Sequence, residues 1–140
     1  MSYSYEENRN HCKHIAEELE AYYNGYMWKC DDCGEVFYAE EEPEICPSCE
    51  EETNFENLSL WDWYAETDFY DMEYHISGDG SLRGVTLMVA CGGPNIYINT
   101  KTCRVELYWW TDHADYPIDR AICEEIDNIA GEYVHFKNEF

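Results

Sequence analysis

The sequence predicts an α+β fold: a four-stranded antiparallel meander packed with helices and interrupted by an inserted four-cysteine module. Three observations carry this prediction. Apolar residues recur at helical spacing near both ends of the chain. They alternate with polar residues from Phe69 to Trp109, and between the first helix and this region the cysteines fall as C-x2-C-x12-C-x2-C. A chain of 140 residues is long enough to bury roughly 68–70 % of its unfolded surface, so a single well-packed core is expected.

In the N-terminal unit, residues 1–25, Ser4 with Glu7 forms a capping-box signature. Ile15, Leu19 and Tyr22 follow at helical spacing and Asn24-Gly25 supplies a stop, predicting a helix over about residues 5–23. Glu17, Glu18 and Glu20 fall mostly off the apolar stripe and read as a solvated face. Residues 26–54 form the cysteine module. Residues 55–140 form the third unit, in which Trp61, Tyr64 and Ala65 predict a short helix from near Ser59.

Met72, Tyr74 and Ile76 then alternate with polar residues, the pattern of a half-buried strand. Gly78-Asp79-Gly80, Gly92-Gly93-Pro94-Asn95 and Asn99-Thr100-Lys101-Thr102 are turns. They separate strands marked by Val85, Leu87, Val89 and Cys91, by Ile96 and Ile98, and by Cys103, Val105, Leu107 and Trp109. After Asp115-Tyr116-Pro117, the residues Ile118, Ala121, Ile122, Ile126, Ile129 and Ala130 predict an amphipathic helix ending near Gly131 and covering the sheet.

Cys30-Asp31-Asp32-Cys33 and Cys46-Pro47-Ser48-Cys49 are two knuckles, each turning both thiolates toward one centre. Two such knuckles complete a sulfur tetrahedron, the geometry of a closed structural zinc site. Iron binds the same ligands at the same spacing, and disulfides would need an oxidising compartment. Structural Zn2+ on Cys30, Cys33, Cys46 and Cys49 is the preferred reading, with iron as the alternative. The pattern resembles the zinc-ribbon and rubredoxin-like knuckle class, with Glu50 standing where that class often has Gly.

The chain holds 31 acidic residues against 8 Lys and Arg, a formal net charge of -23. Residues 30–82 carry 17 of the acids and no base, and four zinc-bound thiolates would add about two further negative charges. Such a field repels nucleic acid and anionic membrane, so neither is expected as a direct ligand; a basic protein surface is. Aromatics make up 16 % of the chain, which excludes an acidic disordered tail. Met1–Asn10 is polar and no apolar run approaches a membrane span, so a cytoplasmic protein is expected.

No catalytic signature emerges. Asp62, Glu66, Asp68, Asp71 and Glu73 show no distinguishing pair, Gly92-Gly93-Pro94 lacks the Lys-Ser/Thr of a phosphate loop, and His11-Cys12-Lys13-His14 has no partner ligand pair. Cys91, Cys103 and Cys123 fall on predicted apolar faces and read as buried thiols, with no motif pairing any of them to His75, His113 or His135. Trp110, if exposed, is a natural interface anchor. The chain is read as a binding protein, not an enzyme.

The block from Val89 to Asn99, followed by Val105–Asp112 and joined to the cysteine knuckles, resembles the type II-A anti-CRISPR proteins of the metal-containing kind. These are Cas9 inhibitors carried by phages and mobile elements of Firmicutes. The sheet block is also similar to mobile-element proteins of unknown function. The resemblance implies a stoichiometric inhibitor that binds Cas9 or its guide-RNA complex and blocks target DNA loading or cleavage. Cas9 offers basic channels and PAM-reading Arg side chains, and the recognition lobe is the preferred place among its surfaces. Glu40, Glu41, Glu42, Glu44, Glu50, Glu51 and Glu52 are the expected docking residues. The alternatives are a DNA mimic aimed at another defence enzyme, such as a restriction system, and a rubredoxin-like electron carrier.

Overall fold

Cys12, Ala16 and Leu19, spaced four and three residues apart, form the buried seam of a first helix, α1 (Tyr5–Asn24), with Ile15 and Tyr22 packed beside it. The computed structural model describes residues 5–138, with side chains through Tyr133. Ser4, half of the expected capping box, lies outside the described residues. Gly25, at φ 80°, ends α1. The N–H of Tyr26 donates to the Ala21 carbonyl and that of Gly25 to Tyr22, a Schellman closure that satisfies the last carbonyls.

Three short strands follow: β1 (Met27–Cys30), β2 (Val36–Tyr38) and β3 (Phe55–Leu58), ordered β2-β1-β3 and antiparallel. A capping box between Ser59 and Asp62 starts α2 (Leu60–Glu66). The second sheet runs β4 (Asp71–Ile76), β5 (Leu82–Ala90), β6 (Asn95–Asn99), β7 (Arg104–Trp109) and β8 (Asp112–Pro117), each strand antiparallel to the next. Val85, Leu87, Ile96, Ile98, Val105 and Leu107 form its buried face. Against it pack α1 and α3 (Arg120–Asn138), the latter through Ile122, Ile126 and Ile129.

The α+β architecture with antiparallel sheets is as expected, but the meander has five strands, not four. β8 was not predicted because the segment DHADYP offers one small buried residue, Ala114 opposite Leu107, and one half-buried residue, Tyr116 opposite Val105. Its hairpin also lacks the Asn-Gly or Asp-Gly signal, since Trp110 itself takes φ 57°. The last helix passes through Gly131 instead of stopping there: the glycine does not take the left-handed φ of a helix stop, and a Cβ at that position would rest in ordinary contact, 3.9 Å from Leu82. Alternation also fails at two bulges. One between His75 and Ile76 leaves Ile76 exposed. The other, between Met88 and Ala90, precedes Cys91, which lies exposed beyond the strand and is not the expected buried thiol.

Trp110 is 83 % exposed at a left-handed backbone position, a conformation that costs an L-residue roughly 1–2 kcal/mol. Trp110→Gly should therefore raise stability by about 0.5–1 kcal/mol, after the glycine's own entropic cost. A thermal melt that shifts downward would contradict this.

Candidate metal centre

β1 delivers Cys30 at its end, and the chain then reverses so that the N–H of Cys30 donates to the Glu35 carbonyl and the N–H of Gly34 to the Cys30 carbonyl, both at 2.9 Å. The second knuckle repeats the pattern: Cys46 N–H to the Glu51 carbonyl at 3.1 Å, and Glu50 N–H to the Cys46 carbonyl at 2.9 Å. Gly34 sits at φ 77° and Glu50 at φ 60°. The glutamate thus takes the left-handed conformation that glycine supplies in the first knuckle, and the departure from the knuckle pattern leaves the turn intact.

Backbone N–H groups point at the sulfurs. Cys33 N–H donates to Cys30 Sγ at 3.5 Å, and Ser48 and Cys49 N–H donate to Cys46 Sγ at 3.4 and 3.5 Å. The Cys49 N–H, with that of Ser48 and against the effect of burial, lowers the Cys46 thiol to about 7, whereas at Cys33 and Cys49 the lowering by a backbone hydrogen bond is outweighed by burial and hydrogen bonds among the sulfurs, which raise both thiols.

The Sγ atoms of Cys30, Cys33, Cys46 and Cys49 all lie within 4.8 Å of one another. Cys30 and Cys49 are 3.8 Å apart and Cys33 and Cys46 3.6 Å. A tetrahedral ion with metal–sulfur bonds of about 2.3 Å has edges of about 3.8 Å, so the four cysteines fit a single ion with closed coordination. Among the described residues no other group of three or more His, Cys, Asp or Glu comes together in this way. His11 and His14 are solvent-exposed on α1 while Cys12 is fully buried, so the His11–His14 run is not a preformed ligand set.

No family model, curated protein or solved structure matches the chain. No helix among the described residues is long and apolar enough to cross a membrane.

The seven glutamates singled out around the knuckles are all exposed, and the fold divides them. Glu42, Glu44 and Glu52 line one shallow depression with Pro43 and Thr53, joining the insert to the segment after the second knuckle through the Ile45–Glu52 bridge. Glu40, which accepts a hydrogen bond from the Tyr38 hydroxyl at 3.0 Å, faces the other way. It shares a groove with Glu17, Glu18 and Glu20 of α1. Those helix glutamates are exposed, as expected of a solvated face, and share this groove with Glu40. Glu18 also borders a second cavity of about 370 Å³ between α1, the ribbon and α2, where partial burial raises its carboxyl above the ordinary value. Glutamates three residues apart on one helix, Glu17 and Glu20, were the available signal; that the ribbon folds beside them was not visible in sequence.

Proposed function

We propose that this protein is a stoichiometric inhibitor that binds Cas9 or its guide-RNA complex and blocks target DNA loading or cleavage, acting by occupation and not by catalysis. The observation that carries this reading is the exposure of Glu40, Glu41, Glu42, Glu44, Glu50, Glu51 and Glu52 on a cysteine-clamped ribbon, backed by the carboxylates of α1. Lys29 on β1 is the one base that the ribbon strands hold. A rigid acidic surface loses little conformational freedom on docking and presents a field opposite in sign to a nucleic-acid channel. The recognition lobe is the preferred docking surface. The protein acts in the host bacterial cytoplasm, does not itself bind nucleic acid, and uses Zn2+ to hold the ribbon.

The test is a Cas9 cleavage assay with increasing protein, beside a gel shift for DNA loading. Stoichiometric loss of both activities is expected. Reversing Glu40, Glu41, Glu42 and Glu44 to Lys should weaken Cas9 binding about a hundredfold, because like charges brought together at an interface cost several kcal/mol. Unchanged binding would move the docking surface elsewhere. Full Cas9 activity at excess protein, with a restriction enzyme inhibited instead, would reassign the target. A red protein carrying iron would replace zinc in the ribbon.

A further inference from the structure

In a chain with only 8 basic residues, three of them, Arg83, Lys101 and Arg120, line one cavity of about 280 Å³ that includes none of the ribbon cysteines or glutamates. None of the three has a salt-bridge partner among the described residues. Lys101 is placed by the absence of a side chain at Gly84: a Cβ there would meet Lys101 Cγ at 2.5 Å and Thr100 Oγ1 at 3.1 Å. The acids of the same cavity are Glu124 and Asp127. Asp127 is engaged, accepting the Thr100 hydroxyl at 2.6 Å while that hydroxyl also accepts the Val85 N–H at 2.8 Å. Three bases against two acids leave the cavity lining with a surplus of one positive charge in a protein whose overall field repels anions.

The same cavity holds two thiols. Cys103 is partly exposed, donates to the Thr100 carbonyl at 3.5 Å and is held at a left-handed φ of 55°. Cys123 is 2 % exposed, and burial, then the proximity of Cys103 and the carboxylates of Asp127 and Asp119, raises its pKa. An accessible thiol backed by a buried one, with cations around the opening, is the arrangement of an attacking and a resolving cysteine.

We propose that Cys103 and Cys123 form a redox-active pair that reacts with an anionic low-molecular-weight disulfide held by Arg83, Lys101 and Arg120. The Cys103 thiolate attacks one sulfur of the bound disulfide, forming a mixed disulfide and releasing one thiolate, which takes up the Cys103 proton. Cys123 then attacks the Cys103 sulfur, its proton leaving with the second released thiol. The small disulfide is reduced to two thiols and the protein gains one Cys103–Cys123 disulfide, which ties the turn before β7 to the first turn of α3.

The experiment treats the full-length metal-loaded protein with glutathione disulfide, or with the cationic disulfide cystamine, and follows each cysteine by peptide mass spectrometry. Cys91 is the internal control, since it is the more exposed thiol and lies outside the cavity. Glutathione disulfide should reach Cys103 at least tenfold faster than Cys91 and end in a Cys103–Cys123 disulfide; cystamine should show no such preference. Cys123→Ala should trap the glutathione adduct on Cys103. Changing the exposed Arg83, Lys101 and Arg120 together to Gln, which leaves the core untouched, should reduce the Cys103 rate to that of Cys91. Faster reaction at Cys91, equal preference for both disulfides, or a Cys103 adduct that persists in the unsubstituted chain would each overturn the proposal.

Discussion

Stripping the metal with a chelator should unfold the ribbon and leave the five-stranded sheet folded. The ribbon's own apolar contacts are few, chiefly the Phe37–Phe55 edge contact at 5.7 Å and Trp28, whose Nε1 donates to the Ala39 carbonyl at 3.0 Å. A module of this size does not bury enough surface to fold alone. A structural zinc contributes on the order of 10–16 kcal/mol of binding free energy in finger peptides, which exceeds anything the ribbon strands supply. Trp28 fluorescence and the amide signals of β1–β3 should collapse on chelation and on Cys46→Ser, while the thermal transition of the main core persists. A ribbon whose signals survive both treatments would refute a folding role for the metal.

Ile98→Ala should cost about 2–5 kcal/mol, the range for emptying a fully buried branched site. Ile98 is 0 % exposed and stands at the middle of the sheet, directly opposite Leu87 on β5 and Val105 on β7. Helices pack on that face, and Ile98 also borders the cavity between α1, the ribbon and α2, so truncation enlarges an existing space. The melting temperature should fall on the order of 10 °C. Glu73→Ala, on the exposed side of edge strand β4, should stay within about 0.5 kcal/mol of the unsubstituted protein. Equal effects for the two would mean that the burial pattern of the sheet is misassigned.

Both results rest on features of different legibility. The inward residues of β5, β6 and β7 were readable because a two-residue period survives wherever one sheet face is buried and the other wet. β8 was not, since an edge strand whose inward face offers only Ala114 and a half-buried Tyr116 carries little periodic signal. The turn before it uses a tryptophan where glycine or asparagine is usual, and that backbone is held by the pairing of β7 with β8, not by local preference. Gly131 reads as a helix stop locally, but α3 continues through it without a left-handed φ while Ile122, Ile126 and Ile129 hold the helix on the core, a long-range cause no window of sequence contains.

The acidic face divides in the same way. That residues 30–82 hold 17 acids and no base is a fact of composition; that Glu40 faces Glu17 and Glu20 while Glu42, Glu44 and Glu52 gather elsewhere depends on how the ribbon leaves β1. The Arg83, Lys101 and Arg120 cluster drew no attention as sequence because its members come from β5, the β6–β7 turn and α3.

The convergence of Cys30, Cys33, Cys46 and Cys49 was legible from sequence alone, because a two-residue spacer leaves each pair of sulfurs little choice but a common centre. The alternation of the central strands was equally self-sufficient, because side-chain direction reverses at every residue. The fifth strand, the exposure of Cys91, the pairing of Cys103 with Cys123 and the joining of α1 to the acidic ribbon surface were decided only in three dimensions. Each depends on residues far apart in the chain meeting across a sheet or a helix face, and such meetings leave no local periodicity to read.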